Sequence, residues 1–86
     1  MPTISKFFGI SIRMYYDDHA PPHFHAYYGE HSVVMEIGSL IVRDGELPKR
    51  ALAMVAEWAG EHRDDLMDNW RRAQLHQPLN SVPPLE

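Results

Sequence analysis

Residues 13–28 decide the fold and read Arg-Met-Tyr-Tyr-Asp-Asp-His-Ala-Pro-Pro-His-Phe-His-Ala-Tyr-Tyr. The stretch holds three of the six histidines of the chain, an Asp-Asp pair and all four tyrosines. Two adjacent prolines lack amide donors and restrict the residues before them, so residues 17–22 are predicted to form a loop. Apolar and polar residues alternate on both sides of this loop, which predicts two flanking strands.

In the strand before the loop, the alternation runs from Phe8. In both strands it places successive side chains on opposite faces of the sheet. The apolar positions predicted to face the core are Ile10, Ile12, Met14, Phe24, Ala26 and Tyr28. If the strands are antiparallel neighbours, the other positions share one surface, here called the polar face. The polar face consists of Ser11, Arg13, Tyr15, His23, His25 and Tyr27.

The rest of the chain predicts two more strands and then helices. Alternating residues favour strands over residues 31–37 and 40–43, and Asp44-Gly45 is predicted to end the sheet. Apolar residues at helical spacing follow Pro48, but one helix over residues 48–76 would be about 43 Å long. A domain this small has an expected radius of gyration of about 12 Å. We therefore predict a break between Gly60 and Asp64.

These patterns predict an α+β fold: a four-stranded antiparallel meander followed by two helices packed on one face. Residues 1–76 are expected to form one domain, and residues 77–86, with three prolines, an extended C-terminal tail. The first residues lack the pattern of a signal peptide, and no apolar stretch is long enough to span a membrane. A cytoplasmic location is the expectation.

Composition excludes several kinds of chemistry. The chain has no cysteine, so disulfides, thiolate nucleophiles and thiolate metal sites are excluded. The net charge is −4, which disfavours binding to nucleic-acid backbones. A metal ion would have to be held by histidines and carboxylates.

Three interpretations of the polar face remain open. In the first, His23 and His25 bind a divalent metal such as zinc, because side chains two apart on a strand lie about 6.5 Å apart on one face. The third ligand would be His19, Asp17 or Asp18, all in the adjacent loop.

The second interpretation is acid–base catalysis without a metal, for instance RNA cleavage. Here His23, His25 and Tyr15 would exchange protons, and Arg13 would stabilise charge on a phosphate.

In the third interpretation the face binds a protein, since tyrosine, histidine and arginine are typical of interface hot spots. The same surface could also join two copies of the chain.

Three segments carry a resemblance to a known family: Met-Pro-Thr-Ile-Ser-Lys-Phe-Phe-Gly-Ile, Ile-Arg-Met-Tyr-Tyr-Asp-Asp-His-Ala-Pro-Pro-His-Phe-His-Ala and Gly-Glu-Leu-Pro-Lys-Arg-Ala. With Trp58, His62, Leu66, Asn69 and Trp70, they resemble the bacterial family catalogued as domain of unknown function 4160. The family pattern covers Arg13, Tyr15, His19, Pro21, Pro22, His23 and His25, where the resemblance places the site.

The family has no established activity. The resemblance implies a neighbouring gene for domain of unknown function 2442, in an arrangement like a toxin–antitoxin pair. The leading hypothesis is therefore a protein-interaction component of such a two-gene module. The alternative is a metal-binding hydrolase or ribonuclease that uses the face of His23 and His25.

Overall fold

Five antiparallel strands form a single sheet, followed by two helices. The computed structural model describes residues 2–86. The strands lie in chain order and are β1 (Thr3–Phe7), β2 (Ile10–Arg13), β3 (His23–Tyr28), β4 (His31–Glu36) and β5 (Val42–Glu46). The helices are α1 (Lys49–Glu61) and α2 (Arg63–Gln74). The prediction of an α+β fold with an antiparallel meander is confirmed, but the predicted number of four strands is wrong.

The additional strand is β1, which the sequence did not distinguish from β2. The prediction that one strand begins at Phe8 is wrong, because Phe8 and Gly9 form a two-residue turn with φ of 49° and 80°. Phe7 pairs with Ile10 across it. Positive φ at both central residues is the geometry of a type I′ hairpin, which usually contains Asn-Gly or Asp-Gly. Phe-Gly gave no such signal.

The last strand also differs from its prediction. The structure has β5 over Val42–Glu46 rather than residues 40–43, and Asp44-Gly45 continues the sheet instead of ending it. Gly45 has a φ of 75°, and a Cβ atom there would lie 2.2 Å from the Ser32 carbonyl oxygen. Only glycine fits this close approach of two strands. Gly45 therefore marks a close contact inside the strand pairing and not a turn.

Sheet and helices share one hydrophobic core. All six positions predicted to face the core are buried except Tyr28, which is 37% exposed at the end of β3. Phe8, in the turn, is 62% exposed. Trp58 of α1 is buried, with its ring centroid 5.4 Å from that of Phe7 and 6.0 Å from that of Phe24. These contacts favour the prediction that the helices pack on one face, which stays a prediction.

The predicted break between the helices is confirmed. α1 ends at Glu61 and α2 begins at Arg63, with the intervening His62 at a non-helical φ of −126° and ψ of 27°. The break keeps the molecule compact, with a radius of gyration of 11.6 Å. Within residues 2–86, neither helix combines the length and apolarity needed to cross a membrane.

The C-terminal segment, residues 77–86, has no helix or strand but lies against the core. Val82 is buried, and its backbone N–H donates to the Ile4 carbonyl at the outer edge of β1, with an N–O distance of 2.8 Å. The indole N–H of Trp58 donates to the Pro83 carbonyl. No pattern in the sequence predicted these contacts.

Candidate metal centre

The polar face exists as the alternation predicted. Strands β2 and β3 are antiparallel neighbours, with Arg13 opposite His25 and Ser11 opposite Tyr27. The hydroxyl groups of Tyr15 and Tyr27 are hydrogen-bonded to each other. The ring of His25 meets Tyr15 edge-on and stacks with Tyr27, so the side chains form a continuous network.

At one end of the polar face, Asp18 brings the two histidines together. Its Oδ2 lies 2.9 Å from Nε2 of His23 and 3.3 Å from Nε2 of His25. These three potential ligand atoms all lie within 4.8 Å of one another. Tetrahedral zinc with ligands at about 2.0 Å separates its ligand atoms by about 3.3 Å. The observed spacing therefore suits a divalent ion after small adjustments.

The orientation of His23 is fixed by a second hydrogen bond. Its Nδ1 lies 2.8 Å from the Pro21 carbonyl oxygen, which can only accept, so Nδ1 carries a proton. Metal-binding histidines usually donate their other ring N–H to a carbonyl or carboxylate in this way, which fixes the tautomer. Nε2 of His23 faces Asp18 and His25 and donates to the Asp18 carboxylate, and it would have to lose that proton to bind a metal.

The charge on Asp18 also suits a ligand. Burial raises the pKa of its carboxyl, but the backbone N–H of His19 and the two histidine side chains stabilise the carboxylate and lower the pKa overall. The His19 amide donates to Oδ1 at 2.9 Å, which leaves Oδ2 to face the histidines. Asp18 is therefore held as a carboxylate at neutral pH.

Helix α2 supports the centre from the other side. The Trp70 ring lies 5.2 Å from that of His23, between centroids, and the Gln74 side-chain amide donates to the Asp18 carbonyl at 3.3 Å. These supporting residues were missed in the sequence analysis, because Trp70 and Gln74 are about fifty residues away in the chain. The Pro-Pro turn was the only local signal that the loop backbone is constrained.

The structure does not bring every predicted ligand to the centre. Asp17 is largely exposed and its Oδ1 lies 2.9 Å from Nε2 of His76. His19 is exposed and contributes its backbone amide, not its ring. Of the three alternatives for the third ligand, Asp18 is the one beside His23 and His25.

The predicted catalytic residues Arg13 and Tyr15 lie in the network beside His25. The Arg13 guanidinium carbon is 4.9 Å from the centre of the Tyr27 ring, and its buried Nε has no hydrogen-bond partner among residues 2–86. Burial and the hydrogen bond to the Tyr15 hydroxyl raise the pKa of Tyr27 to about 12, although Arg13 opposes this. Tyr27 is thus un-ionised at neutral pH and does not supply a base.

A depression of about 200 Å³ opens beside the centre. The residues that line it include Asp18, His23, Val34 and Arg43. Nη1 of Arg43 donates to Oε2 of Glu36 at 2.9 Å. This hydrogen bond is the main cause that lowers the pKa of Glu36, which is opposite His23 in the strand pairing.

Fold and site together define a small α+β protein with two histidines and a carboxylate converging at the end of a sheet face. The chain belongs to the family described as Domain of unknown function (DUF4160), whose model matches residues 9–71. The match includes Asp18, His23 and His25 and confirms the resemblance. Comparisons with curated proteins and with solved structures gave no significant match.

Proposed function

We propose that this protein is a metal-dependent hydrolase that binds one divalent ion, zinc being the first candidate, through Asp18, His23 and His25. The observation that supports the proposal most strongly is the convergence of their three ligand atoms within 4.8 Å. The hydrogen bond from His23 Nδ1 to the Pro21 carbonyl adds the supporting contact typical of such ligands.

The number of ligands favours catalysis over a purely structural role. Structural zinc sites are usually closed by four protein ligands, whereas catalytic sites have three and keep a position for water. A bound ion would lower the pKa of that water and supply a nucleophile at neutral pH. Two histidines and one carboxylate are also a ligand set for other first-row metals.

Metal binding is tested with protein purified without a histidine tag. We expect close to one equivalent of ion by elemental analysis. Competition with a chromophoric chelator should show affinity reduced by at least about 100-fold in Asp18→Ala and His25→Ala, since each removes a direct ligand. Affinity should also fall in acid, because the imidazoles must lose protons to bind the ion.

His31→Ala is the matched control, because His31 is exposed at the start of β4 and outside the cluster. It should bind metal like the wild type. Equal affinities of His25→Ala and His31→Ala would contradict the site. Hydrolysis of activated carboxylic and phosphate esters should require the ion, disappear with chelation and return on reloading.

A second function, binding to a partner protein, is supported by Phe8. This large apolar side chain is 62% exposed at a turn tip and adopts a left-handed backbone that phenylalanine rarely takes. The partner would be the product of the neighbouring gene, of the domain of unknown function 2442 type. Co-expression should yield a complex that Phe8→Ser weakens; failure of the two proteins to copurify would count against it.

A further inference from the structure

We propose that the depression beside the metal centre binds the phosphoryl group of a small phosphate ester, and that Arg43 is the residue that recognises it. This inference rests on the proposed metal site and names the substrate class of that site. It is supported by the free donors of Arg43, the charges around the depression and its size.

Arg43 has donors to spare. A guanidinium has five N–H donors, and among the residues that the structure describes this one donates only through Nη1, to Glu36. The side chain is 48% exposed and lines the depression together with Asp18 and His23. The remaining donors are therefore available to an anion in the depression, and guanidinium groups match phosphate oxygens well.

Charge favours an anion at this position. With a divalent ion bound and both histidines neutral, the ion and Arg43 exceed the carboxylates of Asp18 and Glu36 by one positive charge. A tetrahedral phosphoryl group presents oxygens in several directions. It can therefore contact both a bound ion and the Arg43 guanidinium, which lines the same depression as Asp18 and His23. Such an arrangement stabilises charge during phosphoryl transfer.

Size and net charge limit the substrate. A volume of about 200 Å³ holds one phosphoryl group and a small attached portion. The chain as a whole carries a charge of −4, which disfavours a long polyanion such as RNA. The inference is therefore a small phosphate ester, with Val34 as an apolar wall for the part next to phosphorus.

The experiment uses the full chain loaded with Co²⁺, whose visible absorption changes when an anion binds, and inorganic phosphate as the probe. Arg43→Gln should weaken phosphate binding at least about tenfold. Glu36→Gln should strengthen it several-fold, because it releases the guanidinium from its present partner. Opposite effects of the two substitutions on phosphate affinity would indicate that Arg43 binds phosphate directly. If the Arg43–Glu36 ion pair were merely structural, both substitutions would break it and would change phosphate affinity in the same direction.

Arg71→Gln is the matched control, since Arg71 also lies near a carboxylate, that of Asp68, but does not line the depression. It should leave phosphate affinity unchanged. Co²⁺ affinity is measured in every variant. If Co²⁺ binds but Arg43→Gln retains wild-type phosphate affinity, or if both changes weaken it equally, this inference is overturned. If the wild type binds no Co²⁺, the proposed metal site fails and this inference fails with it.

Discussion

Asp17 and Asp18 show how one backbone torsion separates two adjacent carboxylates. Asp17 has a φ of 59° and lies beside His76, whereas Asp18 faces His23 and His25. Strand alternation predicted that His23 and His25 share a face, because that follows from the period of two. It could not choose between the carboxylates, since the choice depends on a loop torsion that is not encoded in a periodic pattern.

Tyr27 gives a prediction for the residues next to the centre. Because burial is the larger cause of its raised pKa and the Tyr15 hydroxyl the second, Tyr15→Phe should lower that pKa from about 12 but leave it above 10. Arg13→Met should raise the pKa further, because the guanidinium favours the tyrosinate. Ultraviolet absorbance of tyrosinate measures both shifts, and Tyr16→Phe should leave the transition in place.

The raised pKa of Tyr27 also determines how the folding stability changes with pH. A pKa raised in the folded state means that the folded protein holds the proton more tightly than the unfolded chain. The contribution of Tyr27 to the folding stability is present below pH 10 and is lost as the pH rises toward about 12. The wild type should therefore lose more stability than Tyr27→Phe over that interval, and equal losses would contradict the assignment.

At the scale of elements, predictions succeeded where a repeating pattern decides the structure and failed at turns. Apolar residues at spacings of three and four predicted the helices, and the length limit predicted a break between Gly60 and Asp64. The structure has that break at His62. The predictions at Phe8-Gly9 and Asp44-Gly45 were wrong for opposite reasons. Phe8-Gly9 is a turn with a residue that is unusual in turns, whereas Asp44-Gly45 is a common turn sequence that lies inside a strand.

Gly45 provides a test of the β4–β5 pairing. Gly45→Ala should lower the free energy of unfolding by about 3 kcal/mol, because alanine disfavours positive φ and its Cβ would clash with the Ser32 carbonyl. Gly38→Ala is the matched control, because no atom lies within 4 Å of the added Cβ. It should change stability by less than about 0.5 kcal/mol. Urea unfolding measures both, and similar losses would argue against the strained pairing at Gly45.

At the scale of the whole molecule, distant parts of the chain converge to hold the candidate metal centre. Loop residues 17–22 lie against the end of α2, and α2 is in turn joined to the C-terminal segment by Asn69. The Asn69 side chain is 1% exposed, donates to the Asn80 carbonyl and accepts from the Asn80 amide. Such pairings between distant residues leave no local pattern, so the sequence predicted the strand positions of the site but not its support.

Asn69 therefore carries the last prediction. Asn69→Ala should lower the free energy of unfolding by about 2 kcal/mol, because it removes both hydrogen bonds that this buried side chain makes to the Asn80 backbone. For a domain of this size the melting temperature should fall by about 10 °C. Asn80→Ala is the matched control: Asn80 is exposed and uses only its backbone, so the melting temperature should stay near that of the wild type. Calorimetry compares the variants, and equal melting temperatures for Asn69→Ala and Asn80→Ala would show that the C-terminal segment does not stabilise α2 through this side chain.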